Sequence, residues 1–238
     1  MESTLPPSTS GASPGPAASR PGVDRLVIVG TDTDVGKTVV SALVVQGLGA
    51  HYWKPVQSGL EGPTDSERLQ QLIALPAERL LPEAYRLSAP VSPHWAAERD
   101  GVTIDPQRLQ LPDPARLPGP LVVETAGGLL VPLRRDWLQI ELLASWGLPL
   151  LLVARSGLGT LNHTLLSLEA LNRRAIPVLG LVLNGPLHAD NPRTLEQIGG
   201  VPVLLQLPTL ERLDAAALAG QWQGSALAHR LSRSQLAP

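Results

Sequence analysis

The stretch Gly30-Thr-Asp-Thr-Asp-Val-Gly36-Lys37-Thr38 sets two glycines, a lysine and a hydroxyl between an apolar run at 26–29 and a helical pattern opening at Lys37. It fits a phosphate-binding loop with one extra residue between its glycines. Consecutive backbone N–H groups and a helix N-terminus wrap nucleotide phosphates. Lys37 is expected to reach the β/γ oxygens, and Thr38 to offer its hydroxyl to Mg²⁺. An ordinary glycine-rich turn would not need strand, lysine, threonine and helix together. The reading is use of a nucleoside triphosphate.

Only Lys37 and Lys54 are lysines, while Lys and Arg together number 19. Both spared positions point to sites that need a compact ammonium, which a planar guanidinium does not mimic. Lys54 stands in His51-Tyr-Trp-Lys54-Pro-Val-Gln-Ser58-Gly59, where a second strand should end. Ligands collect at the carboxyl ends of strands in open α/β sheets. Pro55 forbids a continued ladder and Gly59 permits a tight turn. Lys54 is therefore expected near the phosphates, and Ser58 is a candidate hydroxyl for substrate.

Glu124 closes the apolar run 121–123 ahead of Gly127 and Gly128, as an acid at a strand end beside Mg²⁺ would. Asp65 is a second metal candidate, with a plain helix cap or first-turn role as its alternative. The segment Arg155-Ser-Gly157-Leu158-Gly159-Thr160-Leu-Asn162-His163 joins a strand to a helix whose free N–H groups could hold a carboxylate. Thr160 as a simple N-cap is compatible with that, and His163 reads as structural. Asn184-Gly185 reads as a turn whose amide could meet a base edge, and Pro208-Thr209-Leu210 is a weaker signal of the same kind.

These residues need a scaffold, and the chain of 238 residues supplies one sizeable domain. Apolar runs at 26–29, 121–123, 148–153, 178–183 and 201–205 alternate with helical patterns at 37–48, 65–75, 136–146, 160–173 and 192–198. Near-continuous apolar runs suit strands covered on both faces. The alternation predicts a doubly wound α/β domain over residues 23–238, with a mostly parallel sheet flanked by helices. Four prolines in residues 112–120 leave at most a short helix before the 121 strand. Residues 1–22, with five Pro, five Ser and three Gly, read as a disordered tail without a secretory or transit pattern.

Composition narrows the function further. There is no cysteine, so disulfides, thiolate metal sites and cysteine nucleophiles are excluded. A net charge of -2 argues against a nucleic-acid surface. No apolar run reaches the length of a membrane span. The expectation is a soluble, cytoplasmic protein with no nucleic-acid or membrane partner.

Taken together, the blocks resemble those of the dethiobiotin synthetase family, in the same order. They are the 30–38 loop, Lys54 to Gly59, Ser92-Pro93-His94, Val123-Glu124, Ala126-Gly127-Gly128 with Pro132-Leu133, and Gly157-Leu158-Gly159 with Asn162-His163. The resemblance spans roughly residues 25 to 210 and is specific because separated motifs co-occur. It implies a homodimeric, phosphate-loop ligase of biotin biosynthesis that converts 7,8-diaminopelargonic acid, CO₂ and MgATP into dethiobiotin, ADP and phosphate. It implies Lys37 and Lys54 as catalytic cations, and Thr38, Asp65 and Glu124 as Mg²⁺ ligands. The nucleotide would be met by Asp34, Val35, Gly36, Lys37, Thr38, Val39, Asp65, Glu124, Thr125, Ala126, Gly127, Asn184, Gly185, Pro208, Thr209 and Leu210. Ser58 would meet the substrate, and Gly157, Leu158, Gly159 and Asn162 would hold its carboxylate from the partner subunit.

Two positions depart from the family pattern. Thr125 stands where the family usually has glycine, which would be strained if φ there were positive. Asn184-Gly185 stands where Asn-Asp is usual. The alternative reading is a nucleotide-switch ATPase of the positioning or partition type, which shares the fold. Asp32 occupies the place of that group's signature lysine and speaks against it; Lys54 would supply the missing charge from the next strand. An amidotransferase would need a glutaminase domain and a cysteine nucleophile.

Overall fold

The computed structural model describes residues 24–232. The expected tail at 1–22 lies outside the described residues, as do residue 23 and residues 233–238 of the expected domain. In chain order the elements are β1 (Arg25–Gly30), α1 (Lys37–Leu48), β2 (His51–Trp53), β3 (Val56–Ser58), α2 (Asp65–Ile73), β4 (Leu80–Leu81), β5 (Tyr85–Leu87) and α3 (Pro93–Arg99). They continue with β6 (Leu121–Gly128), β7 (Pro132–Arg134), β8 (Trp137–Leu138), α4 (Gln139–Trp146), β9 (Leu150–Arg155) and α5 (Thr160–Asn172). The last are β10 (Val178–Asn184), α6 (Asn191–Gly199), β11 (Val203–Leu207), α7 (Ala215–Trp222) and α8 (Ala226–Leu231).

Seven strands form one sheet in the order β11-β10-β9-β1-β6-β2-β4, and every pairing in it is parallel. Alternate residues of the central strands feed two separate cores. Val27, Val29, Leu121, Val123, Leu150 and Leu152 enter one, and Leu26, Ile28, Val122, Leu151 and Val153 the other. Burial on both faces is why these runs read as continuously apolar. The expected doubly wound, mostly parallel α/β fold is present.

The strand order puts β1 between β6 and β9. The loop after β1 therefore emerges at the middle of the carboxyl edge, with the ends of β2 and β6 on one side and of β9 and β10 on the other. Helix α1 runs from Lys37 to Leu48 as its apolar pattern predicts, and its end is set by Gly49 in the left-handed region (φ 62°). Gly47 lets Trp222 of α7 pack onto α1; a Cβ at Gly47 would lie 2.3 Å from the indole.

Several bounds depart from the sequence reading. Pro55 ends β2 at Trp53, and the chain resumes as β3, which pairs with β5 in a separate two-stranded sheet. Strand β6 continues through Gly128. Its regular pairing with β1 stops at Ile28–Glu124 and resumes at Gly30–Gly128, with two extra residues on β6. The helix expected over 136–146 begins at Gln139, because Trp137 and Leu138 pair with Pro132–Arg134 in a hairpin. The proline-rich segment holds one short 3-10 turn, Pro114–Arg116. Helices α3, α7 and α8 were not anticipated. Among the described residues no helix is long and apolar enough to cross a membrane.

Candidate active site

The phosphate loop takes its shape from two left-handed residues, Asp34 (φ 55°) and Gly36 (φ 97°). Asp tolerates that region better than most residues, and glycine adopts it without strain. Asn184, at the end of β10, donates its amide Nδ2 to the Val35 carbonyl at 3.0 Å and so braces the loop from two strands away. Arg155 donates to the Asp32 carboxylate at 3.2 Å. Lys37 is buried, and its Nζ donates to the Asp32 carbonyl at 2.8 Å. Burial, then the like charge of Lys54, pulls the Lys37 pKa down to about 8.

Glu124 lies inside β6 and not at its end, a correction to the sequence reading; the glycines that looked like a turn belong to the strand. Its carboxylate is wholly buried. Oε1 accepts from Thr38 Oγ1 at 2.9 Å and from Lys54 Nζ at 3.1 Å, and Oε2 accepts from the Tyr52 hydroxyl at 2.9 Å. Such donors are what allow a charged carboxylate to be buried. Burial and Glu124 raise the Tyr52 pKa well above its ordinary value, so the phenol remains a donor.

Lys54 Nζ also lies 2.6 Å from Asp65 Oδ2. Burial acts to lower the Lys54 pKa, but Glu124 and Asp65 together outweigh it and the pKa is raised. Burial acts to raise the Asp65 pKa, and Lys54 and Thr38 outweigh that, so the carboxyl is held below its usual range. Asp65 stands in the first turn of α2, as its alternative reading allows, and is not the helix cap. Thr64 fills that role, accepting from Glu67 N while Glu67 accepts from Thr64 N. The Asp65 carboxylate is thereby left to face Lys54.

These groups open onto one cavity of about 1050 Å³. Of the candidate residues, Asp34, Gly36, Lys37, Thr38, Val39, Lys54, Ser58, Asp65, Glu124, Ala126 and Gly127 line it. The Ser58 hydroxyl oxygen is buried there without a hydrogen-bond partner among the described residues. Thr38, Asp65 and Glu124 present only oxygen donors, the set that suits Mg²⁺. A cation, the Lys54 ammonium, already bridges the two carboxylates.

Other candidates stand outside the cavity. Val35 packs in the core beside α1. Thr125 is buried and donates to the Ile28 carbonyl at 3.3 Å. Its φ is not positive, so the β-branched side chain meets no strain of that kind; Gly127 (φ 58°) takes the left-handed conformation. Asn184, Gly185, Pro208, Thr209 and Leu210 gather at the ends of β10 and β11. Gly157, Leu158, Gly159 and Asn162 surround the start of α5, where Leu158 is fully exposed. Gly159, not Thr160, is the N-cap there, because Thr160 is already helical and bonds to Thr164.

Sequence reasoning passed over Tyr52, Gln57 and Gln139. Gln57 lines the cavity and accepts from Asp65 N at 3.2 Å. Gln139 pins the backbone of Ala126 and Gly128 through 2.9 and 2.8 Å bonds.

A ParA family ATPase from Chlorobium tepidum shares the fold, with a TM-score of 0.50 and 13% identity, covering 90% of this chain and 96% of that one. A family model described as an AAA domain matches residues 24–217. The ATP-dependent dethiobiotin synthetase of Rhodopseudomonas palustris is 54% identical over 194 residues, 82% of this chain and 90% of the relative. That of Agrobacterium fabrum is equally similar, at 54% over 194 residues with the same coverage. With identity this high across nearly the whole length of such relatives, the chain belongs to the ATP-dependent dethiobiotin synthetase family.

Proposed function

We propose that this protein is an ATP-dependent, Mg²⁺-requiring ligase that closes the ureido ring of dethiobiotin from 7,8-diaminopelargonic acid and CO₂, releasing ADP and phosphate. The observation that carries the reading is the convergence of both lysines, Thr38 and two carboxylates on one cavity. In this reaction an amine of the substrate takes up CO₂ as a carbamate. The γ-phosphoryl group moves to the carbamate oxygen, and the second amine attacks the resulting mixed anhydride and expels phosphate.

Little proton transfer is asked of the side chains. Two anions, carbamate and triphosphate, must be brought into contact, so charge and positioning carry the catalysis. The loop from Asp34 to Val39 offers backbone N–H groups to the phosphates. Lys37 and Lys54 neutralise the reacting anions, and the unpartnered Ser58 hydroxyl receives the substrate. Thr38, Asp65 and Glu124 would hold Mg²⁺, which when bound supplies charge neutralisation at the phosphate oxygens. Ala126 and Gly127 border the triphosphate, with the buried Thr125 behind them, and Asn184, Gly185 and Pro208 to Leu210 form the base end. Gly157, Leu158, Gly159 and Asn162 serve the active site of a second copy in a homodimer, for which the exposed Leu158 is suited. We place this single-domain enzyme in the cytoplasm, with no nucleic-acid or membrane partner.

The test is phosphate release by purified protein with ATP, Mg²⁺, bicarbonate and the diamine. Release that depends on the diamine, with dethiobiotin formed, is expected. Release indifferent to the diamine would sink this reading in favour of a switch ATPase. Light scattering at micromolar concentration should give twice the 25.2 kDa chain mass.

A further inference from the structure

Glu124 has two carboxylate oxygens, and they are treated differently. Oε1 is met by Thr38 and Lys54, both of which line the cavity. Oε2 is met by Tyr52, which is wholly buried and does not line the cavity. Strand pairing explains the contact. Tyr52 pairs with Val122 on β6, and Glu124 lies two residues further along the same face of that strand. Tyr52 and Glu124 are thus diagonal cross-strand neighbours, a separation that long aromatic side chains span.

We propose that Tyr52 is a positioning residue: its hydroxyl fixes Glu124 Oε2 so that Oε1 stays turned to the cavity, and it thereby sets the affinity of the site for Mg²⁺ with nucleotide. This rests on the reading of Glu124 as a Mg²⁺ ligand given above. A carboxylate with both oxygens held in a buried frame has lost its rotational freedom before the ligand arrives, and such preorganisation tightens binding. Without the hydroxyl, Oε2 is a buried acceptor with no donor. The carboxylate then gains by rotating away from its cavity-facing pose. Tyr52 touches neither substrate nor nucleotide and acts only through Glu124.

Tyr52→Phe removes one oxygen and keeps the ring. The measurement is ATP binding, by displacement of a fluorescent ATP analogue, across a Mg²⁺ titration and in EDTA. Loss of a hydrogen bond to a charged group predicts a half-saturating Mg²⁺ concentration roughly ten- to a hundredfold higher. Binding in EDTA should stay within about twofold, since the phosphate loop is untouched. In a Glu124→Gln background the same substitution should shift the Mg²⁺ titration by less than about twofold, because a residue acting through another loses its effect when that other is changed.

4-Aminophenylalanine at position 52 restores a para donor and should restore the Mg²⁺ dependence. 4-Fluorophenylalanine fills the para position without a donor and serves if Tyr52→Phe is unstable. An unchanged Mg²⁺ titration, an equal loss in EDTA, or an undiminished effect in the Glu124→Gln background would each overturn the proposal. Because the readout is binding, failure of the chain to make dethiobiotin would refute the synthetase reading and leave this inference standing.

Discussion

Lys54 Nζ lies 2.6 Å from Asp65 Oδ2, on a lysine that is 3% exposed, and the same nitrogen reaches Glu124. Two acids that would otherwise repel each other are thus held in place by one ammonium. Removing that charge leaves a buried carboxylate unpaired, which costs about 3–5 kcal/mol for broken buried pairs. Lys54→Met should therefore lower the unfolding free energy by about 3 kcal/mol at neutral pH.

The pH dependence of that loss has a definite sign. In the native protein Lys54 depresses the Asp65 pKa, a contribution present above the carboxyl's unfolded value and lost as pH falls through the folded one. In the variant, nothing from Lys54 opposes the effect of burial on Asp65, a penalty that disappears when that carboxyl is protonated. The melting-temperature gap between the two proteins should narrow as pH drops from neutral towards 4, the ordinary carboxyl range. A gap that stays constant or widens on acidification would refute the pairing as described.

Charge alone does not meet the demands of this position. Lys54→Arg keeps the positive charge but puts a planar, larger head where a compact ammonium meets Asp65 and Glu124. Turnover should fall by about a hundredfold or more, the usual loss when a preorganised donor is displaced. Steady-state kinetics of dethiobiotin formation would show it, and near-normal kcat would end the argument from lysine scarcity.

How much of this site the sequence disclosed depends on how local each feature is. The loop 30–38 and α1 were legible because glycines, lysine and apolar spacing lie within one short stretch. The meeting of Lys37 with Lys54 was inferred from composition and from the strand-end rule, and both line one cavity. Glu124 was picked as the acid but misplaced at a strand end, because Ala126-Gly127-Gly128 has the composition of a turn while continuing as strand. Tyr52 was invisible: its partner is 72 residues away, and nothing local marks a tyrosine whose hydroxyl is aimed across strands. The hairpin at Pro132 and Trp137 was missed for the same reason, since pairing overrode the helical pattern that seemed to begin at Asp136.

Lys37 gives the nucleotide site a pH limit. Its pKa is drawn down to about 8 by burial and then by Lys54. Below that value the ammonium is charged and attracts phosphate; above it an increasing fraction is neutral. Bound phosphate favours the charged form, so binding takes up a proton in the alkaline range. Affinity for ATP should be flat below pH about 8 and weaken towards tenfold per unit above it. Calorimetry in buffers of different ionisation enthalpy would detect the proton uptake, and affinity that is level from pH 7 to 9.5 would count against it.

Gly36 should tolerate no side chain. Its φ of 97° is strained for other residues, and a Cβ there would lie 2.1 Å from Asn184 Nδ2. Gly36→Ala must therefore displace the amide that braces the Val35 carbonyl as well as strain the loop. ATP affinity should drop by at least about tenfold, given roughly 1–2 kcal/mol per strained residue. Asn184→Ala in the same chain should recover part of that loss by removing the clash. If the double variant binds no better than Gly36→Ala alone, the brace is not what the side chain collides with.

Because the chain carries only two lysines, each ammonium can be followed separately once the lysines are ¹³C-methylated. Lys54 has a raised pKa because Glu124 and Asp65 outweigh burial. If Mg²⁺ with a non-hydrolysable ATP analogue takes up the charge of those carboxylates, the raising influence goes and burial remains. The Lys54 pKa should then fall, while that of Lys37 should rise as phosphate replaces the Asp32 carbonyl as its partner. Opposite movements of two resonances in one titration are hard to produce by a general change in structure. Shifts of the same sign, or a Lys54 resonance indifferent to the Mg²⁺ complex, would mean that the ammonium and the metal do not share the two acids.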